Sequence, residues 1–170
     1  MRYYLFIPAL FVLAVLQSSA LSWLLPFPVR PDLMLLAVLS WGMIAGAHQA
    51  LLWGLVGGLM VDLLSGAPLG LTIIALVPVA LTALVREYSV LESNILAVLL
   101  GAFIGSVLFY LASMIVLQST GTRVPWGETF LHVLLPAAVV NSALVPVAYI
   151  ALRSLGERLW PEQLIAVRED

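Results

Sequence analysis

One acidic side chain, Asp62, lies near the end of an apolar stretch that runs from residue 51 to residue 70. In an α-helix, Asp62 shares a face with the small residues at i−4, i−8 and i−12, which are Gly58, Gly54 and Ala50. Such a carboxylate can bind a substrate or a proton, or it can anchor the fold by pairing with Arg30 or with a nearby backbone end. In each case Asp62 must face protein, a cavity or water, because exposing its charge to lipid costs free energy.

Two further polar residues lie where the sequence predicts contacts inside a helix bundle. Asp32 directly follows Pro31 at a predicted helix start, where a carboxylate interacts well with the helix dipole and caps free N–H groups. Asn141 lies between Pro136 and Pro146, so we expect it to bond to a carbonyl group freed by a kink or to another helix. Contact of Asp32 with a partner protein is the alternative.

The remaining residue types do not form a catalytic or metal-binding pattern. The chain has no cysteine and no lysine, which excludes disulfides and a Ser/Lys dyad. His48 and His132 are predicted near opposite membrane boundaries and cannot share a metal ion. Paired acids and the HExxH, GxSxG and P-loop motifs do not occur. We therefore predict that the protein is not an enzyme and has no catalytic, cofactor-binding or metal-binding residues.

Composition indicates the environment in which these residues act. Of the 170 residues, 63% are hydrophobic and 9% are charged, and the mean hydropathy is +1.13. A soluble domain carries about 25% charged residues. The chain is therefore predicted to be a polytopic membrane protein with one domain over residues 1–170. It is expected to contact the lipid bilayer and not to bind nucleic acid.

The hydropathy pattern predicts an all-α fold with about six transmembrane helices. One helix over residues 32–64 would be about 50 Å long, which exceeds a hydrocarbon core of about 30 Å, so two helices must share this stretch. Pro68 is a suitable first-turn residue for the next helix. The predicted helices cover residues 4–25, 32–47, 49–64, 68–85, 93–117 and 129–152, and a short cytoplasmic tail follows at 153–170.

The second and third helices are predicted to form a tight hairpin that turns at His48 and Gln49. Each of them contains a GxxxG pattern, which permits close approach of helix backbones. Reflecting the hairpin about His48 places the two patterns at the same depth. The residues set opposite one another are Gly42 and Gly54, Gly46 and Ala50, and Met34 and Asp62.

The arginines predict the orientation. Six crossings place both termini on one side, and five of the seven arginines fall on that side, so it is predicted to be cytoplasmic. Arg30, Asp32, Asp62 and the turn at residues 65–70 then lie together on the outer side. The predicted cytoplasmic set is Arg2, Arg86, Arg153, Arg158 and Arg168, and the outer set is Arg30 and Arg123.

Three short motifs resemble the MreD family of bacterial rod shape-determining proteins. They are Arg30-Pro31-Asp32-Leu33, the end of the Gly-rich third helix at Asp62-Leu63-Leu64-Ser65-Gly66, and Pro68-Leu69-Gly70. Chain length, the six-helix layout and the interruption at Gln17-Ser18-Ser19 agree with that family. The structural or partner-binding candidates are Arg30, Pro31, Asp32, Gly42, Gly46, Gly54, Gly58, Asp62, Gly66, Pro68, Gly70 and Asn141.

The resemblance implies a non-enzymatic scaffold in the bacterial inner membrane that takes part in cell elongation. Such a protein is involved in cell shape and peripheral peptidoglycan synthesis through binding MreC. The wider assembly includes RodA, a class B penicillin-binding transpeptidase and MreB. Whether the protein also forms homo-oligomers is left open by the resemblance. No cofactor is implied.

The resemblance also implies a fold similar to the S subunits of energy-coupling-factor transporters. The alternative function is therefore a vitamin-binding subunit of an uptake transporter. Those subunits commonly carry an AxxxA pattern in helix one, whereas Ala9, Ala14 and Ala20 lack that spacing here. This departure favours the scaffold.

Overall fold

A computed structural model of the protein describes residues 6–20, 31–87 and 95–159. Within these ranges the chain is helical and contains no strand, in agreement with the predicted all-α fold. The helices are α1 (Phe6–Val15, continued by a π-helical turn at Leu16–Ala20), α2 (Leu33–Ala45), α3 (Ala47–Ser65), α4 (Leu71–Glu87), α5 (Ile95–Ser119) and α6 (Trp126–Thr129, a π-helical segment at Phe130–Leu134, and Leu135–Leu159).

Three of these helices are long and apolar enough to cross a membrane. They cover Ala47–Ser65, Val98–Ser119 and Trp126–Glu157. The other three contain shorter apolar segments at Phe6–Ser19, Leu33–Ala45 and Leu71–Ala83. The structure therefore supports a membrane protein, and six full crossings stay a prediction.

The central helix of the bundle is α2. Its residues from Met34 to Gly42 are all buried, and it contacts each of the other five helices. A helix that is apolar on every side is stable in a protein core or in lipid, and the contacts of α2 place it in the core of this bundle. Its 13 residues span about 20 Å, which is about two thirds of a hydrocarbon core of about 30 Å.

The hairpin between α2 and α3 turns at a single residue, Gly46, and not at His48 and Gln49 as predicted. Gly46 has φ 85° and ψ 170°, a backbone conformation that glycine adopts without the steric cost of a Cβ atom. The helices end at Ala45 and restart at Ala47 on either side of it. The turn thus comes two residues earlier than predicted, because the break requires a glycine and not a polar residue.

This shift makes the predicted register wrong by about one helical turn. A Cβ atom added at Gly42 would lie 3.0 Å from the Ala50 Cβ, so Gly42 does not face Gly54. Met34 packs against Gly57 and not against Asp62. Gly46 lies in the turn, where its carbonyl accepts a hydrogen bond from the Ala50 N–H at 3.1 Å. The two GxxxG patterns consequently do not meet across the hairpin.

The glycines of α3 instead bring α4 close. A Cβ atom at Gly58 would lie 2.9 Å from both the Cα and the backbone nitrogen of Ile73, and one at Gly54 would lie 3.4 Å from the Leu76 Cβ. The Gly58 contact is backbone to backbone, so neither side can move away by changing a rotamer. On α5, Gly105 makes room for the Leu39 side chain of α2.

The last helix differs most from its predicted bounds. It begins at Trp126 and continues to Leu159, whereas residues 129–152 were predicted, so the first residues of the predicted tail, 153–159, are helical. A π-helical segment at Phe130–Leu134 precedes Pro136, and the Leu135 N–H donates to the Phe130 carbonyl five residues back. Proline has no N–H to donate, which favours such local rearrangement of a helix.

The contact of Gly58 with Ile73 predicts a site-specific sensitivity to bulk. Gly58→Leu should lower the free energy of unfolding by at least about 1–3 kcal/mol, the usual cost of overpacking, because the added side chain meets fixed backbone. Gly101→Leu on α5 is the matched control, since a Cβ atom there meets no atom of the described residues within 4 Å. Thermal unfolding in detergent measures both, and equal melting temperatures for the two variants would contradict the packing of α3 on α4.

Candidate functional site

The Asp62 carboxylate binds the N-terminal end of α4. Its Oδ2 accepts a hydrogen bond from the Gly70 N–H at 2.8 Å, and its Oδ1 accepts one from the Thr72 N–H at 2.9 Å. The side chain is buried, with 2% of the residue exposed. The first N–H groups of a helix lack partners within that helix, and a negative charge there is stabilised by the helix dipole. Asp62 therefore joins the end of α3 to the start of α4.

The connection that Asp62 closes is a short turn. Gly66 ends α3 in the left-handed conformation with φ 69°, and the Leu71 N–H donates to the Pro68 carbonyl at 3.1 Å. Pro68 and Gly70 thus belong to the turn, and α4 begins at Leu71 and not at residue 68 as predicted. The helix starts later because Gly70 has φ 93°, a left-handed conformation that an α-helix cannot include.

Asp32 caps the N-terminus of the central helix. Its Oδ1 accepts hydrogen bonds from the Leu35 N–H at 2.9 Å and from the Gln17 Nε2 of α1 at 3.1 Å. Its backbone conformation, φ −92° and ψ 101°, is the extended form usual for a residue that precedes a helix. The Asp32 side chain therefore caps α2 and also bonds α2 to α1.

Two amide side chains from other helices complete this cap. The Gln17 Oε1 of α1 accepts from the Met34 N–H at 2.8 Å, and the Asn141 Oδ1 of α6 accepts from the Asp32 N–H at 3.0 Å. Asn141 is fully buried. We call Gln17, Asp32 and Asn141 the α2 cap cluster. It ties three helices together at one point.

Burial differs among the members of the α2 cap cluster: Asn141 is fully buried, whereas Gln17 and Asp32 are partly exposed. Asn141 comes 15 residues after Trp126, the first residue of α6, which corresponds to about 20 Å along the helix. Where the first N–H groups of a helix are removed from water, protein groups must bond them, and the three side chains of the cluster do so here. Sequence reasoning expected Asn141 to bond a freed carbonyl or another helix, and the structure shows it accepting from a backbone N–H of another segment. In the sequence, the feature that indicated a structural role for Gln17 is that it interrupts an apolar run.

The other predicted site residues lie away from Asp62 and from the α2 cap cluster, or they lie outside the described ranges. Arg30 is outside the described residues, so its predicted pairing with Asp62 stays a prediction, and Pro31 directly precedes the α2 cap cluster. His48, His132 and Arg123 are exposed. Among residues 6–20, 31–87 and 95–159, no group of three or more His, Cys, Asp and Glu side chains could hold a metal ion.

The bonds of Asp62 predict a graded response to substitution. Asp62→Asn removes the charge and leaves one acceptor oxygen, whereas Asp62→Leu leaves both N–H groups of α4 without a partner. The melting temperature in detergent should therefore fall in the order parent, Asn, Leu. Each lost bond to a charged group is worth about 1.5–3 kcal/mol. Ser65→Ala, at the exposed last residue of α3, is the control, because it removes only an exposed hydrogen bond from the Ala67 N–H at 3.4 Å. A Leu variant as stable as the parent would contradict the role of Asp62 in holding α4.

The hydrogen bonds of the α2 cap cluster predict a second loss of stability, at a site separate from Asp62. Asn141→Leu leaves the Asp32 N–H without its acceptor and should cost about 1–3 kcal/mol of unfolding free energy. Ser142→Ala is the neighbouring control, because the Ser142 hydroxyl donates to Ala138 of its own helix and its loss orphans no group. Thermal unfolding in one detergent compares them, and an equal shift would argue against the cluster.

Comparison with known proteins agrees with the motifs. The family described as rod shape-determining protein MreD matches residues 1–155. Neither the curated proteins nor the solved structures contain a match. The family match covers the helical bundle up to the last turn of α6, including both anchors. The chain therefore belongs to the MreD family of rod shape-determining membrane proteins.

Proposed function

We propose that the protein is a non-enzymatic scaffold of the cell-elongation complex that acts by binding MreC within the membrane. The observation that carries this proposal is the family match over residues 1–155, which includes the whole of α1 to α5. Through MreC the scaffold contributes to peripheral peptidoglycan synthesis. RodA, a class B penicillin-binding transpeptidase and MreB are its wider partners in this proposal.

The use made of the buried polar groups supports a scaffold. Asp62 and Asn141 accept hydrogen bonds from backbone N–H groups of other segments, and Asp32 accepts one from the Gln17 side chain of α1. These bonds stabilise the arrangement of the helices, which is what a binding partner requires of a scaffold. The same carboxylates would have to give up these contacts in order to bind a substrate.

The glycine contacts indicate which surfaces remain for a partner. Association between helices in lipid depends on close packing and hydrogen bonds, because lipid tails are as apolar as leucine. Gly42, Gly54, Gly58 and Gly105 already make contacts inside the bundle. Within the part of the chain that the structure describes, Gly101 on α5 faces open space, next to the exposed side chains of Leu100 and Ile104. A second helix can therefore approach α5 at Gly101 without disturbing the fold.

Co-purification in mild detergent from the native host tests the proposal. We expect MreC, identified by mass spectrometry, to be retained by the parent protein. Recovery of a transporter ATPase without MreC would contradict the scaffold and favour the vitamin-transport alternative. Gly101→Leu, which should fold, then locates the contact: loss of MreC places it on this face of α5, and full retention places it on another surface.

The proposal includes both termini in the cytoplasm of a protein with six crossings. Reporter fusions at residue 170 and within residues 120–127 should then report opposite sides of the membrane, because α6 separates these positions. The basis is the excess of arginine on one side. Signals from the same side in both fusions would contradict this topology, and a fusion in the 66–70 turn should agree with the one at 120–127.

A further inference from the structure

We draw no further inference here: the strongest candidate, the apolar groove that Val12, Trp53 and Leu152 line between α1, α3 and α6, is an unpartnered apolar face, and nothing in the structure shows what covers it.

Discussion

Helix N-termini inside a membrane bundle impose the constraint on which this structure depends. Each such end carries N–H groups without partners in its own helix, and hydrocarbon offers none. Within the described residues, Asp62 meets this demand at the start of α4 and the α2 cap cluster meets it at the start of α2. Asp62 comes from the preceding helix, and at α2 the local cap residue Asp32 is joined by Gln17 of α1 and Asn141 of α6. Capping therefore determines the neighbours of a helix as well as where it begins.

The α2 cap cluster affects more of the bundle than Asp62 does, because α2 contacts each of the other five described helices. Its cap draws on α1 through Gln17 and on α6 through Asn141. Apolar packing alone leaves the depth of a uniformly apolar helix poorly defined, since sliding it exchanges one leucine contact for another. Directional hydrogen bonds at one end remove that freedom. The short central helix is thus held at one depth by polar groups and held laterally by packing.

Close packing of backbones supplies the lateral order. Gly58 lets α4 approach until its backbone touches α3, and Gly105 receives Leu39 of the central helix. Lipid-embedded helices gain little from burial, so such contacts account for much of their association. For a member of the MreD family, a bundle closed from within by its own glycines and carboxylates leaves the outward apolar faces as the surface on which other membrane helices can pack.

Several features followed from the sequence alone. Composition determined a membrane protein, apolar segments broken by proline and glycine determined a helical fold, and the motifs at residues 30–33 and 62–70 indicated the family that the comparison then showed. These features are local. A Pro-Asp pair before an apolar run favours a helix start wherever it occurs, and a carboxylate near lipid must find a partner.

Only the tertiary structure determined which residues pack against one another and which groups are hydrogen-bonded. The hairpin could turn at Gly46 or two residues later, and only the backbone conformation of Gly46 selected the first, which moved every opposed pair by about one helical turn. Likewise, Asp62 could have bonded several groups, and it bonded α4 because the 66–70 turn brings the Gly70 and Thr72 N–H groups to it. Register and pairing depend on how neighbouring helices are placed in three dimensions. Residue type and spacing along a single segment do not determine that placement.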